Sequence, residues 1–321
     1  MLEAALDSVE QRGMRDGEGL YAGPIVDAHH HLWDRSMDRH PWLRPYDVGP
    51  LGRSCMPDDY LRDTEGFNVV ATVHVEANWD PSDPLGEIAW LDGLERPGGM
   101  AARYVGQADL GSPGASGIVE SLAAHGKVAG IRDIVSWHPD PARSHCRARH
   151  RMSDPQWRDG LRLLARHDLS FDLAMSPWQI DDALDLLASF PHIRFALNHC
   201  GSPFDRTSEG LARWADGMRK LSAAPNIVVK ISDPVAYDPQ WSMNSLRYVL
   251  RTCLDTFGPG RCMLGSDHPV VALHADFAQI YDAFRRIFAD LGDAESHAIF
   301  AGNAAAFYRV PYQSPVQAIT T

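Results

Sequence analysis

Residues 25–34 read IVDAHHHLWD: a short apolar run followed at once by His29, His30 and His31. β-branched residues ahead of a polar cluster point to a strand that ends in a functional loop. Alternate side chains of a strand share a face, so Asp27, His29 and His31 are expected to point one way and His30 the other. Two imidazoles at i and i+2 can grip one metal ion or one substrate oxygen.

Further along the chain the same kind of run recurs at 68–77 (NVVATVHVEA), 102–110, 127–134, 169–175, 193–200 (IRFALNHC), 226–232 (NIVVKIS) and 261–267 (RCMLGSD). With 24–29 this makes eight candidate strands. Between them lie segments of helical periodicity such as PQWRDGLRLLARHD (155–168) and SMNSLRYVLRTCLDTFG (242–258), and two more helical segments follow the last strand. Eight βα repeats predict a (β/α)8 TIM barrel of the α/β class rather than an open doubly wound sheet. Residues 1–23 form an expected N-terminal arm and residues 24–321 the barrel domain. The first βα connection, from about 32 to 66, is long and rich in Pro, Gly and aromatics, and is expected to act as a lid.

A TIM barrel places its chemistry at the C-terminal ends of its strands. There the sequence puts His29 and His31 after strand 1, His199 after strand 6 and Asp267 after strand 8. Asp267 suits a general base and the histidines suit oxyanion donors or metal ligands. Candidate substrate contacts at the other strand ends are Arg132, Trp33, Glu76, Asn78, Trp137, Lys230 and His268. His30 is expected to be a structural neighbour, and His125, His145, His150 and His167 to be surface groups.

The formal net charge of −12 and pI near 5.6 exclude a surface built to neutralise phosphates, so no nucleic-acid partner is expected. The first residues lack a secretory pattern and no apolar run reaches membrane-spanning length, which predicts a cytoplasmic protein without a membrane partner. Five cysteines, none in CxxC spacing, fit reduced thiols. The expected partner is a small-molecule substrate, and a homo-oligomer is compatible with the sequence.

VDAHHHLWD, LNHCGSP, NIVVKIS, RCMLGSDHPV and IFAGNAAAFY, in this order between residues 25 and about 310, resemble blocks of the amidohydrolase superfamily, in its lactonase-like amidohydrolase 2 branch. The resemblance implies a hydrolase that opens a small lactone of sugar-acid or aromatic catabolism, with a zinc-dependent decarboxylase or amide hydrolase as the alternative. It also implies either no cofactor or one divalent metal, zinc first, held by His29, His31, His199 and Asp267. Strand 4 offers Arg132 and Asp133 where two-metal relatives have a bridging ligand, and strand 5 ends without histidine, so a two-metal site is not expected.

Overall fold

A computed structural model describes residues 14–312. Its eight strands are β1 (Ile25–His30), β2 (Val69–Val75), β3 (Arg103–Gln107), β4 (Val128–Arg132), β5 (Ser170–Leu173), β6 (Phe195–Leu197), β7 (Ile227–Ser232) and β8 (Cys262–Gly265). They form one parallel sheet in sequence order. The helices that follow each strand in turn are α1 (Pro57–Asp63), α2 (Gly86–Gly93), α3 (Ala115–Ala124), α4 (Pro155–Arg166), α5 (Ile180–Ser189), α6 (Ser208–Ser222), α7 (Met243–Phe257) and α8 (Phe277–Ile287). Two short helices, α9 (Asp293–His297) and α10 (Asn303–Tyr308), complete the described chain. Backbone hydrogen bonds join the first and last strands: Asp267 N–H donates to His29 O and His31 N–H to His268 O, each at 2.7 Å. The chain is therefore a (β/α)8 barrel, as the repeat count predicts.

The barrel interior is lined by small and β-branched side chains, among them Val26, Ala28, Ala71, Val73, Val75 and Ala196, and Ala304 and Tyr308 of α10 pack beneath them. The outer layer shows why the helices form where they do. In α4 the buried residues are Trp157, Gly160, Leu161 and Leu164, an i, i+3, i+4, i+7 stripe. Asp154 caps its start by accepting from Gln156 N at 2.8 Å and Trp157 N at 3.2 Å, with Pro155 in the first turn. Gly160 permits the close approach of this helix to the chain after β3, since an added Cβ would stand 2.1 Å from Leu110 O. Gly160→Ala is expected to destabilise the fold by about 1–3 kcal/mol, read as a lower urea midpoint at unchanged slope.

The strands are shorter than their apolar runs. β6 keeps three residues of the expected 193–200, because the chain leaves the sheet at Asn198 and turns through His199 and Cys200 at φ of 50° and 54°. In β1 the strict alternation read from sequence fails at Asp27. Val26 and Ala28 pack into the barrel, and Asp27 lies on the outer side, where its carboxylate accepts from Tyr60 OH at 2.8 Å and Ser266 Oγ at 2.6 Å. A register shift between Asp27 and His30 resets the faces. After it His29 and His31 face the mouth, while His30 packs outward against Thr72 Oγ1 (2.8 Å) and the rings of Tyr60 and His74.

Residues 1–13 of the expected N-terminal arm lie outside the described residues. Residues 14–23 pack on the barrel: Tyr21 is buried, and Arg15 reaches Asp293 Oδ1 at 2.7 Å and Leu291 O at 2.6 Å. The long first loop winds through 3-10 turns at Arg35–Met37, Pro41–Leu43 and Pro50–Gly52, tied to the second loop by Trp42 Nε1 donating to Ala77 O at 2.6 Å.

Candidate active site

Barrel closure assembles the site. The two hydrogen bonds across the seam set Asp267 beside His29 and His31, and Asp27 reinforces them by accepting from Ser266 N at 2.8 Å and Ser266 Oγ at 2.6 Å. Asp267 Oδ1 stands 3.1 Å from His29 Nε2 and 3.0 Å from His31 Nε2. The ring of His199 lies 4.7 Å from that of His29, and its Nδ1 is 3.0 Å from Ser232 Oγ. The four residues predicted from three strand ends are thus one cluster. It forms the floor of a cavity of about 880 Å³, lined by His31, His199 and Asp267 together with Trp42, Trp79 and Tyr237.

A carbonyl can only accept, so the 2.7 Å contact of His31 Nδ1 with Val75 O fixes the proton on Nδ1. The Nε2 lone pair of the neutral ring then faces a carboxylate oxygen, an arrangement that is favourable only with a proton or a cation between them. His29, His199 and Asp267 offer ligand atoms all within 4.8 Å of one another, and His29 Nδ1 has no hydrogen-bond partner among the described residues. This donor set of two imidazoles and one carboxylate, with a third imidazole alongside, fits a single divalent cation such as zinc.

Burial sets the protonation states. It pushes the His29 imidazole well below its ordinary value, with help from Lys230, and brings His199 down to about 4 against the opposing pull of Asp267. Burial raises the Asp267 carboxyl, but His199, His31 and a hydrogen bond from Asp233 outweigh it and hold the group at about 2. Asp233, just past β7, is the residue that sequence reasoning missed. It lines the cavity, it is raised by burial and by the adjacent Asp267 charge, and its Oδ1 has no hydrogen-bond partner among the described residues. Two carboxyl groups in contact cannot both ionise without a cation, so Asp233 carries the proton and Asp267 the charge. The parallel spellings ISDP and GSDHP were the available signal.

The expected substrate contacts divide. Arg132 and Asn78 line the cavity. Glu76 does not: its carboxylate receives Arg132 Nε at 2.5 Å and the Asn78 backbone N–H at 2.7 Å, so it positions both. Lys230 is fully buried below the site, paired with Asp172 Oδ2 at 2.5 Å and lying 4.8 Å from the centre of the Tyr308 ring. Trp33 is buried behind the first loop and donates to Arg53 O at 2.9 Å. Trp137 lies beneath Arg149, and His268 binds Asp63 Oδ2 at 3.0 Å. None of these four is on the cavity wall, because each has a partner in the packed layers. His145, expected at the surface, is on it.

Left-handed backbone gathers around the mouth: Asn78, His199, Ser202, Asp233 and Asp267, all non-glycine with φ between 36° and 62°, line the cavity. Such conformations cost free energy and concentrate where side chains are held for function.

An eight-stranded barrel with one ionised carboxylate facing a ring of imidazoles at its mouth is the architecture of a barrel hydrolase. The amidohydrolase family model matches residues 26–310, and the chain belongs to that family. It is 33% identical to the uncharacterized protein y4mH of Sinorhizobium fredii, over 89% of this chain and 98% of the relative. It is 29% identical to an L-fucono-1,5-lactonase of Burkholderia multivorans, over 89% of this chain and 96% of that enzyme. A solved amidohydrolase from Burkholderia multivorans with bound HEPES superposes with a TM-score of 0.77 at 27% identity, covering 90% of this chain and 100% of that one. A second structure from the same organism, with bound zinc, gives 0.76 at 25% identity over 90% and 100%. Among the described residues no helix is long and apolar enough to cross a membrane.

Proposed function

We propose that this hydrolase opens a small sugar-type lactone by attack of water on the ring carbonyl. The observation that carries this reading is the single ionised carboxylate, Asp267, facing two imidazole nitrogens on the floor of the cavity. The L-fucono-1,5-lactonases among its relatives support the substrate class. Asp267 accepts the proton of the attacking water and returns it to the departing ring oxygen, base and then acid in one cycle. Without a bound cation, the neutral imidazole of His199 donates an N–H to the carbonyl oxygen as its charge grows, and removing one such donor typically costs about 2.7–4 kcal/mol of transition-state stabilisation. Arg132, held by Glu76, adds positive potential at the same place. His29, His199 and Asp267, with His31 alongside, are the residues that would hold a divalent cation, which when bound would polarise the carbonyl and acidify a water; a similar structure with bound zinc supports a cation in a barrel of this kind. The first loop, which brings Trp42 and Tyr46 to the cavity, is proposed to close over the substrate.

The test is a pH-indicator assay over 1,4- and 1,5-lactones of common hexonic and deoxyhexonic acids. At least one is expected to be opened with kcat/KM above about 10⁴ M⁻¹s⁻¹. No opening across the panel, with and without added zinc, would overturn the reading.

A further inference from the structure

We propose that the lactone accepted here carries a carboxylate, bound between Arg143 and His145 on the loop that follows β4. The inference rests on the lactonase reading and deepens it. Arg132 is the cation at the centre of the cavity, but its guanidinium is already engaged: Nε by Glu76 Oε1 (2.5 Å), Nη2 by Glu76 O (2.6 Å), and Nη1 against His29 Nε2 at 3.5 Å. It has no edge left for a bidentate carboxylate.

The loop after β4 is the richest basic stretch of the chain, HPDPARSHCRARHR (138–151), in a protein of net charge −12. Most of its cations have partners. Arg151 pairs with Asp109 and Asp133, Arg149 lies over the Trp137 ring at 5.3 Å, and His150 binds Asp182 Oδ2 at 2.9 Å. Arg143 and His145 differ in two ways. Both line the cavity that holds Asp267, and neither side chain has a hydrogen-bond partner among the described residues. The nearest carboxylate oxygen to Arg143, Asp140 Oδ2, is 3.7 Å from Nε, a long contact between two exposed side chains that leaves the guanidinium open to a substrate. The His145 backbone N–H donates to Ser136 O at 3.0 Å, which fixes this end of the loop.

The two acidic residues on the cavity wall, the protonated Asp233 and the charged Asp267, belong to the reacting floor. An anionic substituent on the substrate is therefore matched at the Arg143 end and repelled at the other, which orients the ring. Gln107 adds a second observation: it lines the cavity and its buried Oε1 has no partner among the described residues, an acceptor suited to a substrate hydroxyl. Together these groups describe a hydroxylated lactone with one free carboxylate, the monolactone of a sugar diacid. One guanidinium with one imidazole matches a single negative charge.

The experiment compares a hexaric acid monolactone with the corresponding hexonolactone, in the wild type, Arg143→Met and Arg147→Met. The wild type should prefer the acidic lactone in kcat/KM. Arg143→Met should lower the acidic-to-neutral ratio by about tenfold or more, the worth of one charge-assisted hydrogen bond. Arg147→Met, on the same loop and off the cavity wall, should keep the preference. Binding of the open-chain hexarate and hexonate, followed calorimetrically, supplies a readout free of turnover: the wild type should favour hexarate and Arg143→Met should lose that preference. If neutral lactones are opened and neither assay shows a preference for the extra carboxylate, the subsite is refuted and the lactonase reading survives. If hexarate binds through Arg143 but no lactone is opened, the subsite stands and the lactonase reading falls.

Discussion

Asp267→Asn is expected to lower lactone turnover by about 10²–10⁴-fold, the usual worth of a positioned general base. Asparagine keeps the size of the side chain and an oxygen that can face His29 and His31, but it cannot take a proton. The fold should survive, because the seam that holds residue 267 is made by backbone groups, Asp267 N to His29 O and His31 N to His268 O. The comparison is therefore between two folded proteins: equal thermal melting within a few degrees, with ring opening followed at saturating substrate. Retention of more than a tenth of the wild-type rate would remove Asp267 from the role of base.

The second large effect falls on stability. Lys230→Met should cost about 3–5 kcal/mol, because it strands a carboxylate in the barrel interior. Asp172 would keep Tyr308 OH at 2.7 Å and Asn198 Nδ2 at 3.0 Å, both neutral donors, and lose its one cationic partner among the described residues. The double variant Lys230→Met/Asp172→Asn should recover most of the loss, since the uncompensated charge is then gone. Urea midpoints of the wild type and the single and double variants decide this; a single variant within 1 kcal/mol of wild type would show that Asp172 sheds its charge another way.

The parts of this molecule that depend on local pattern are readable from sequence, and those that depend on distant partners are not. Eight apolar runs spaced by helical periodicity suffice for the barrel, and strand ends suffice for His29, His31, His199 and Asp267. The face of Asp27 depends on a bulge opposite Thr72 and His74 of β2, for which the spelling VDAHHH has no signal. Glu76 and Lys230 read as cavity residues by their positions at strand ends. Their assignments failed because Arg132 lies 56 residues from the first and Asp172 58 residues from the second. Asp233 was passed over because an aspartate ahead of proline reads equally well as a turn residue. The aromatic wall from Trp42 and Tyr46 comes from a loop whose path follows from tertiary contacts rather than periodicity.

The seam between β1 and β8 has a consequence for when this protein becomes competent. His31 and Asp267 lie 236 positions apart, the span of almost the whole barrel. No fragment ending before β8 contains the site, and closing so long a loop must be offset by every helix and strand laid down between its ends. On the ribosome the first strand emerges long before the last, so the imidazole pair waits, without its carboxylate, until β8 and the residues just after it have been made. Competence is thus acquired in one late event, and its appearance during refolding reports the closing of the barrel itself.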